Sequence, residues 1–233
     1  MIVAIHQPQF LPWLGYLDKL DRVDVFVLLD TVQFKRSEWQ NRNRIRTGNG
    51  WQYLTVPVLH EFPQRLDRVR INNHTDWRRK HLQALDIHYK KAPFYDQYAK
   101  ALRDLYAREW EYLAPLNAAA LAVLAEAFGI TTQIIAASRF EAREEQTARL
   151  VDLCKAVGGE RYLAGAGGRG YMDVSQFEAA GIAVESQDFI HPEYKQVYQP
   201  FMAGMSAIDL LFNCGREGLR HVREARTGLR GTA

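Results

Sequence analysis

The sequence predicts an α/β fold: a single Rossmann-like, mostly parallel sheet carrying a helical insertion and a β-hairpin. Three observations lead there. Residues 2–5 and 23–29 are apolar, β-branched runs without alternation, as strands buried on both faces require. The segment between them reads as a helix with Pro12 in its first turn, so strand, helix and strand follow one another before residue 30. After a long helical stretch, alternation of strand and helix resumes at Thr131.

Taken in order, 42–45 and 51–58 read as two strands joined at Asn49-Gly50, a turn-forming pair. Pro57 and Pro63 break the pattern, and 69–71 adds a short edge strand. Residues 75–128 form the helical insertion, with helices over 76–90, 93–107 and 115–128, the last stopped by Gly129. A strand follows over 131–136, then a helix over 143–157 ended by Gly158-Gly159. Two short strands, 162–164 and 182–185, flank a helix near 174–180. Ser206-x-x-Asp209 has the spacing of a capping box before Leu210-Leu-Phe, and the polar stretch after Gly215 reads as a frayed tail. The simplest layout is one domain over 1–233 with 75–128 inserted in it; two small domains are the other arrangement the length allows.

Composition bounds the function. The 233 residues are 47% hydrophobic and 24% charged, which is ordinary for a globular chain and too apolar for disorder. Such a chain buries roughly 70–75% of its unfolded surface. No uncharged apolar run approaches ~18 residues, so membrane insertion is not expected. The opening lacks a basic n-region and a small-residue cleavage site, and two cysteines suit a reducing compartment, so a cytoplasmic protein is expected. A net charge of +3 is too small to imply nucleic-acid binding.

The first chemical segment runs from His6 to Tyr16 and links the end of a strand to the start of a helix. In open α/β sheets ligands bind at that end of a strand, and a helix start offers free N–H groups. His6, with an ordinary pKa near neutrality, is the candidate general base, and Gln7 a candidate substrate ligand. The alternative is a structural histidine that satisfies loop carbonyls. The second segment follows the second strand: Asp30, Gln33, Lys35, Arg36, Glu38, Trp39, Gln40, Asn41, Arg42, Asn43, Arg44 and Arg46. Five cations against one acid between 35 and 46 repel one another unless an anion compensates. Lys35, Arg42 and Arg44 suit phosphate, Trp39 a base or sugar face, and Gln33, Asn41 and Asn43 hydrogen bonding to the same ligand. Asp30 is the candidate to orient His6 or an attacking amine. A solvated basic hairpin is the plain alternative.

Gly165, Gly167, Gly168 and Gly170 crowd a third segment, whose G-x-G-x-x-G spacing fits a phosphate loop, a dinucleotide site or a simple turn. In a fourth, Tyr194 and Gln196 are candidate wall residues beside His191 and Tyr198, while Ser206 and Asp209 are accounted for by capping. A metal site is not expected: His81 and His88 lie roughly 10.5 Å apart along one helix face, too far for one ion at about 2 Å per ligand. Cys154 and Cys214 read as small buried hydrophobes.

Ile5-His6-Gln7-Pro8-Gln9-Phe10-Leu11-Pro12-Trp13-Leu14-Gly15-Tyr16, then Asp30-x-x-Gln33-Phe34, Trp39-x-Asn41-Arg42-Asn43, Tyr194-Lys195-Gln196 and Ser206-x-x-Asp209-Leu210-Leu211-Phe212-Asn213-Cys214-Gly215 run in order along nearly the whole chain. On these the chain resembles the WbqC-like family. The resemblance implies a bacterial surface-polysaccharide or O-antigen setting and the modification of an amino sugar. A weaker likeness in layout, strand then Trp13-Leu14-Gly15-Tyr16, is to the strand–HxGH–helix opening of nucleotidyltransferases, with Trp13 and Tyr16 in the two histidine places. There His6 or the cations of 35–46 would have to replace the missing charge toward ATP, the one candidate cofactor.

The expectation is therefore a group-transfer enzyme, of acyl, aminoacyl or nucleotide-dependent type, acting on a phosphorylated or nucleotide-linked small molecule and forming an amide. Its partners would be that substrate and a second copy of the chain, not nucleic acid. The alternative is a non-catalytic sugar-nucleotide-binding or scaffold protein.

Overall fold

The computed structural model describes residues 1–165 and 172–227. The elements run β1 (Ile2–His6), α1 (Leu14–Asp21), β2 (Val25–Leu28), β3 (Arg42–Thr47), β4 (Gly50–Thr55), β5 (Val58–Leu59) and β6 (Arg70–Ile71). They continue with α2 (Trp77–Tyr89), α3 (Tyr95–Ala107), α4 (Leu113–Phe128), β7 (Gln133–Ala136), α5 (Gln146–Ala156) and β8 (Arg161–Ala164). The chain then forms α6 (Val174–Ala179), β9 (Ala183–Ser186), α7 (Ala207–Cys214) and α8 (Leu219–Thr227). Five of these strands make a wholly parallel sheet in the order β7-β2-β1-β8-β9. The fold is thus α/β, with the small hairpins β3–β4 and β5–β6 outside the main sheet.

Alternate side chains of the central strands go to opposite faces. Ala4, Phe26, Leu28 and Leu163 join a core with α1, α4 and α7, and α2 and α3 contribute Leu85, Tyr89, Tyr95 and Leu102 to it. Val3, Ile5, Val25, Val27 and Tyr162 join a second core with Val151 and Cys154 of α5 and Phe177 of α6. Two buried faces explain the unbroken apolar runs of β1 and β2. Helix α4 ends where Gly129 turns left-handed at φ 70°, its N–H bonding back to Ala125 and Glu126.

Several local expectations are corrected. The hairpin turns at Gly48-Asn49, not Asn49-Gly50, because Thr47 pairs with Gly50. Pro12 precedes α1, whose cap is Trp13. The tail is not frayed over 219–226: Leu219 and Val222 are buried, Arg223 and Arg226 bond Asp21, and Arg226 also bonds Asp18 on α1. Residues 166–171, which hold most of the glycine-rich segment, lie outside the described residues.

The capping box is the most consequential correction. Ser206 does cap α7, accepting from the Ile208 N–H at 3.4 Å, but Asp209 does not turn back to it. Asp209 is fully buried, and its carboxylate accepts hydrogen bonds from Tyr89 Oη (2.6 Å), Tyr194 Oη (2.7 Å) and Gln196 Nε2 (2.8 Å). Tyr89 Oη in turn accepts from the Arg46 N–H at 2.8 Å. One carboxylate thereby joins α2, α7, the loop after β9 and the β3–β4 hairpin. Burial pushes the Asp209 pKa up, against the pull of its three donors and Arg46.

His81 on α2 shows how a buried imidazole couples this packing to pH. Its Nε2 donates to the Thr55 carbonyl (3.0 Å), so Nδ1 is left to accept from Tyr106 Oη (3.1 Å). Burial holds its pKa down at about 4, against the Thr55 bond that raises it.

Asp209→Ala strands three buried donors and should cost about 3–5 kcal/mol in urea unfolding at pH 7, whereas Tyr194→Phe should cost about 1–3 kcal/mol. Because the folded pKa of His81 lies below its unfolded value, the unfolded chain binds more protons as pH falls. Stability from this group is complete above about pH 6.5, and about 2 kcal/mol of it should be gone by pH 5. Urea midpoints between pH 7 and 5 check this, and His81→Gln should flatten the decline.

Candidate functional site

Strand β1 is central, and the chain leaves its neighbours in opposite directions: β1 leads toward β2, and β8 toward β9. Such a reversal opens a crevice at the carboxyl ends of the strands. The β1–β8 ladder stops at the pair Val3–Tyr162, while β8 stays paired with β9 through Ala164. The Ile2 and His6 carbonyls bond toward β2, so the alternating Ile5 carbonyl faces β8. It takes Lys19 Nζ at 3.2 Å instead of a strand partner. Lys19 is only 2% exposed, and its ammonium lies 5.9 Å from the Tyr162 ring centroid. Among the described residues, Lys19 Nζ lies 3.9 Å from where a Cβ on Gly165 would stand, just past the end of β8. Burial pushes the Lys19 pKa down to about 8. Gln187 closes the back, its N–H on Ala164 and its side chain donating to the Gly15 carbonyl and Asp18.

His6 stands beside this ammonium. Its Nδ1 lies 3.1 Å from the Gln7 carbonyl and, facing an acceptor, carries the proton; the ring packs edge-on to Tyr16 at 4.7 Å. Burial first, and the Lys19 charge second, pull its pKa down to about 3, so the imidazole is neutral at pH 7. The two candidate loops do meet. Gln7 Oε1 accepts from Gln40 Nε2 at 2.7 Å, Gln40 Oε1 accepts from the Lys35 N–H at 2.8 Å, and the Phe10 N–H bonds the Trp39 carbonyl. Asp30 is turned elsewhere: the N–H and hydroxyl of Ser138 occupy its carboxylate at 2.9 and 2.7 Å.

On β3, Arg42 and Arg44 share one face because they are two residues apart. The Arg42 guanidinium lies 4.1 Å from the Tyr53 ring centroid; that of Arg44 lies 4.3 Å from Trp51 and 5.4 Å from Trp39. Among the described residues Lys35, Arg36, Arg42 and Arg44 pair with no carboxylate. Arg44 Nε is buried without an acceptor. Arg46 turns inward: Nη1 donates to the Thr47 and Gly50 carbonyls and Nη2 to that of Pro200, while its Nε, like that of Arg44, is buried without an acceptor. Asn41 and Asn43 point inward, donating to the Val56 and Phe10 carbonyls, while Gln33 and Lys35 are exposed. Tyr194 and Gln196 are buried on Asp209. Beside Trp51 runs an open groove of about 400 Å³, lined by Thr47, Gln52, His88 and Tyr198 among others.

Sequence reasoning passed over Lys19. The available signal was a lysine three residues after Tyr16 on a helix otherwise rich in leucine, but a terminal lysine ordinarily marks the solvent side. Burial raises the thiol pKa of Cys154 to about 12 and of Cys214 to about 11, which leaves both protonated. No described helix is long and apolar enough to cross a membrane.

The geometry can be set beside known proteins. No solved structure matches this chain. It is 34% identical over 228 residues to the uncharacterized protein Rv1507c of Mycobacterium tuberculosis (strain ATCC 25618 / H37Rv), an alignment covering 96% of this chain and 98% of that protein. The model of the WbqC-like protein family matches residues 7–221, which takes in the β1–α1 loop, the cationic hairpin and the Asp209 cluster. The chain belongs to the WbqC-like protein family.

Proposed function

We propose that this protein is a group-transfer enzyme acting on a phosphate-bearing or nucleotide-linked amino sugar in surface-polysaccharide biosynthesis, with amide formation as its reaction class. The observation that supports this reading is the arginine–aromatic rack of Arg42, Arg44, Tyr53, Trp51 and Trp39, whose cations have no carboxylate partner among the described residues. Stacking fixes each guanidinium plane and leaves its N–H edge for a diphosphate, with Lys35 adding charge from the neighbouring loop. Trp39 or Trp51 offers a face to a base or sugar, and the groove beside Trp51 has hydroxyl, amide and imidazole groups for sugar hydroxyls. In the transfer the amine nitrogen bonds to the acyl carbon, the leaving group departs from that carbon, and the nitrogen loses a proton to a base. ATP stays the candidate source of activation.

One observation favours the second reading, a non-catalytic sugar-nucleotide-binding or scaffold protein. An imidazole held near pKa 3 is a weak general base at neutral pH, and Asp30 is already satisfied by Ser138.

Titration calorimetry against several nucleotide sugars and ATP should give a ligand whose affinity falls roughly tenfold or more in the Arg42→Ala/Arg44→Ala double variant. Undiminished binding would remove the clamp. With a binding sugar nucleotide in hand, His6→Asn separates the readings: turnover lost with binding kept means catalysis, and an absence of turnover in the parent protein as well means a binding protein.

A further inference from the structure

The groove beside Trp51 lies where the β3–β4 ribbon, the last turn of α2 and the loop after β9 meet. Its volume of about 400 Å³ is near the small end of the ~300–1,000 Å³ common for small-molecule sites. Among the described residues that line it, none carries a carboxylate, a guanidinium or an ammonium. The polar groups are the hydroxyls of Thr47 and Tyr198, the amides of Asn49 and Gln52, and the His88 ring. Partial burial holds the His88 pKa below its ordinary value, so at pH 7 the ring is neutral and offers one donor and one acceptor.

None of these side chains hydrogen-bonds to another described residue. Thr47 is the sharpest case, being only 9% exposed. Buried hydroxyls ordinarily find a partner, and Thr47 borders the groove, so a ligand there can supply the missing one. Strand register sets what shares this wall. Gln52 pairs with Ile45, two residues from Thr47, whereas Tyr53 pairs with Arg44 on the opposite face of the ribbon. Trp51 serves both places: it carries the Arg44 guanidinium at 4.3 Å and also borders the groove.

We propose that this groove binds an uncharged sugar unit, its hydroxyls on Thr47 and Gln52 and its ring beside Trp51. A pyranose presents apolar C–H faces and a rim of hydroxyls, which suits aromatic rings set among neutral donors and acceptors. A phosphate or carboxylate finds no cation on this wall, and an ammonium finds no carboxylate. An amino sugar therefore enters with its nitrogen acylated or unprotonated. As the sugar end of a nucleotide-linked ligand the assignment rests on the function proposed above; as a sugar site it stands on the groove alone.

The test is calorimetry on the full chain at pH 7 with three methyl glycosides, those of N-acetylglucosamine (uncharged), glucosamine (cationic) and glucuronic acid (anionic). None carries phosphate, so the rack's clamp is not what they probe. The uncharged glycoside should bind tightest, and Thr47→Val with Gln52→Ala should weaken it roughly tenfold or more. Valine keeps the shape of Thr47 and removes an unpartnered hydroxyl, so that change alone should keep the thermal midpoint or raise it. Should the double variant fail to fold, modification of His88 by diethyl pyrocarbonate, read by mass spectrometry, supplies the second measurement, and the uncharged glycoside should slow it. No binding of that glycoside by the parent protein, a charged glycoside bound as tightly, unchanged affinity in the double variant, or His88 modification indifferent to the sugar would overturn the assignment. Nucleotide sugars that fail to bind the wild-type chain, while the uncharged glycoside still requires Thr47 and Gln52, would remove only the function proposed for the rack. Nucleotide sugars that bind through Arg42 and Arg44, with no glycoside in the groove, would remove only the groove's assignment.

Discussion

Parallel strands can be joined only by crossovers, and a sheet begun at its centre must be extended first to one side and then to the other. Here β1 is laid down first, β2 and β7 extend the sheet one way, and β8 and β9 the other. The strands that flank the reversal part after a short ladder, and among the described residues the Ile5 carbonyl takes Lys19 in place of a strand partner. The polar character of this part of the molecule follows from that topological necessity. Burial first, and the Lys19 charge second, then keep His6 unprotonated.

A second constraint holds the cationic hairpin in place. The β3–β4 ribbon is outside the main sheet, and a two-stranded ribbon is marginal by its own hydrogen bonds. It is secured by Ile45 and Leu54 in the core, by the Arg46 N–H on Tyr89, and by the Arg46 guanidinium on Pro200. Behind Tyr89 is Asp209. The same carboxylate fixes Tyr194 and Gln196, so the loop after β9 is set by the anchor that sets the hairpin. Arg42 and Arg44, which have no salt bridge among the described residues, rest on rings whose strand is itself held.

Much of the fold was legible in the chain because its signals are local. Unbroken apolar runs mark β1 and β2, Gly129 stops α4, and three helices were expected within 75–128, where α2, α3 and α4 lie. The hairpin was legible but its turn slipped by one residue, since Gly48, Asn49 and Gly50 all tolerate turn geometry and only cross-strand pairing selects among them. The polar stretch near the C-terminus looked frayed because its anchors, Asp18 and Asp21, lie some two hundred residues away.

The same division runs through the site. Residue order alone marked the cationic cluster, the aromatics within it and the histidine at a strand end, because charge density and strand–helix punctuation are properties of neighbours in the chain. Which of those residues face outward was decided by packing. Arg42 and Arg44 stack on rings while Arg46 turns inward, Asp30 goes to Ser138, and Asp209 leaves its apparent capping role for two tyrosines and a glutamine. Lys19 belongs wholly to that second category: its burial depends on where two strands separate, a distance between segments that linear order does not encode.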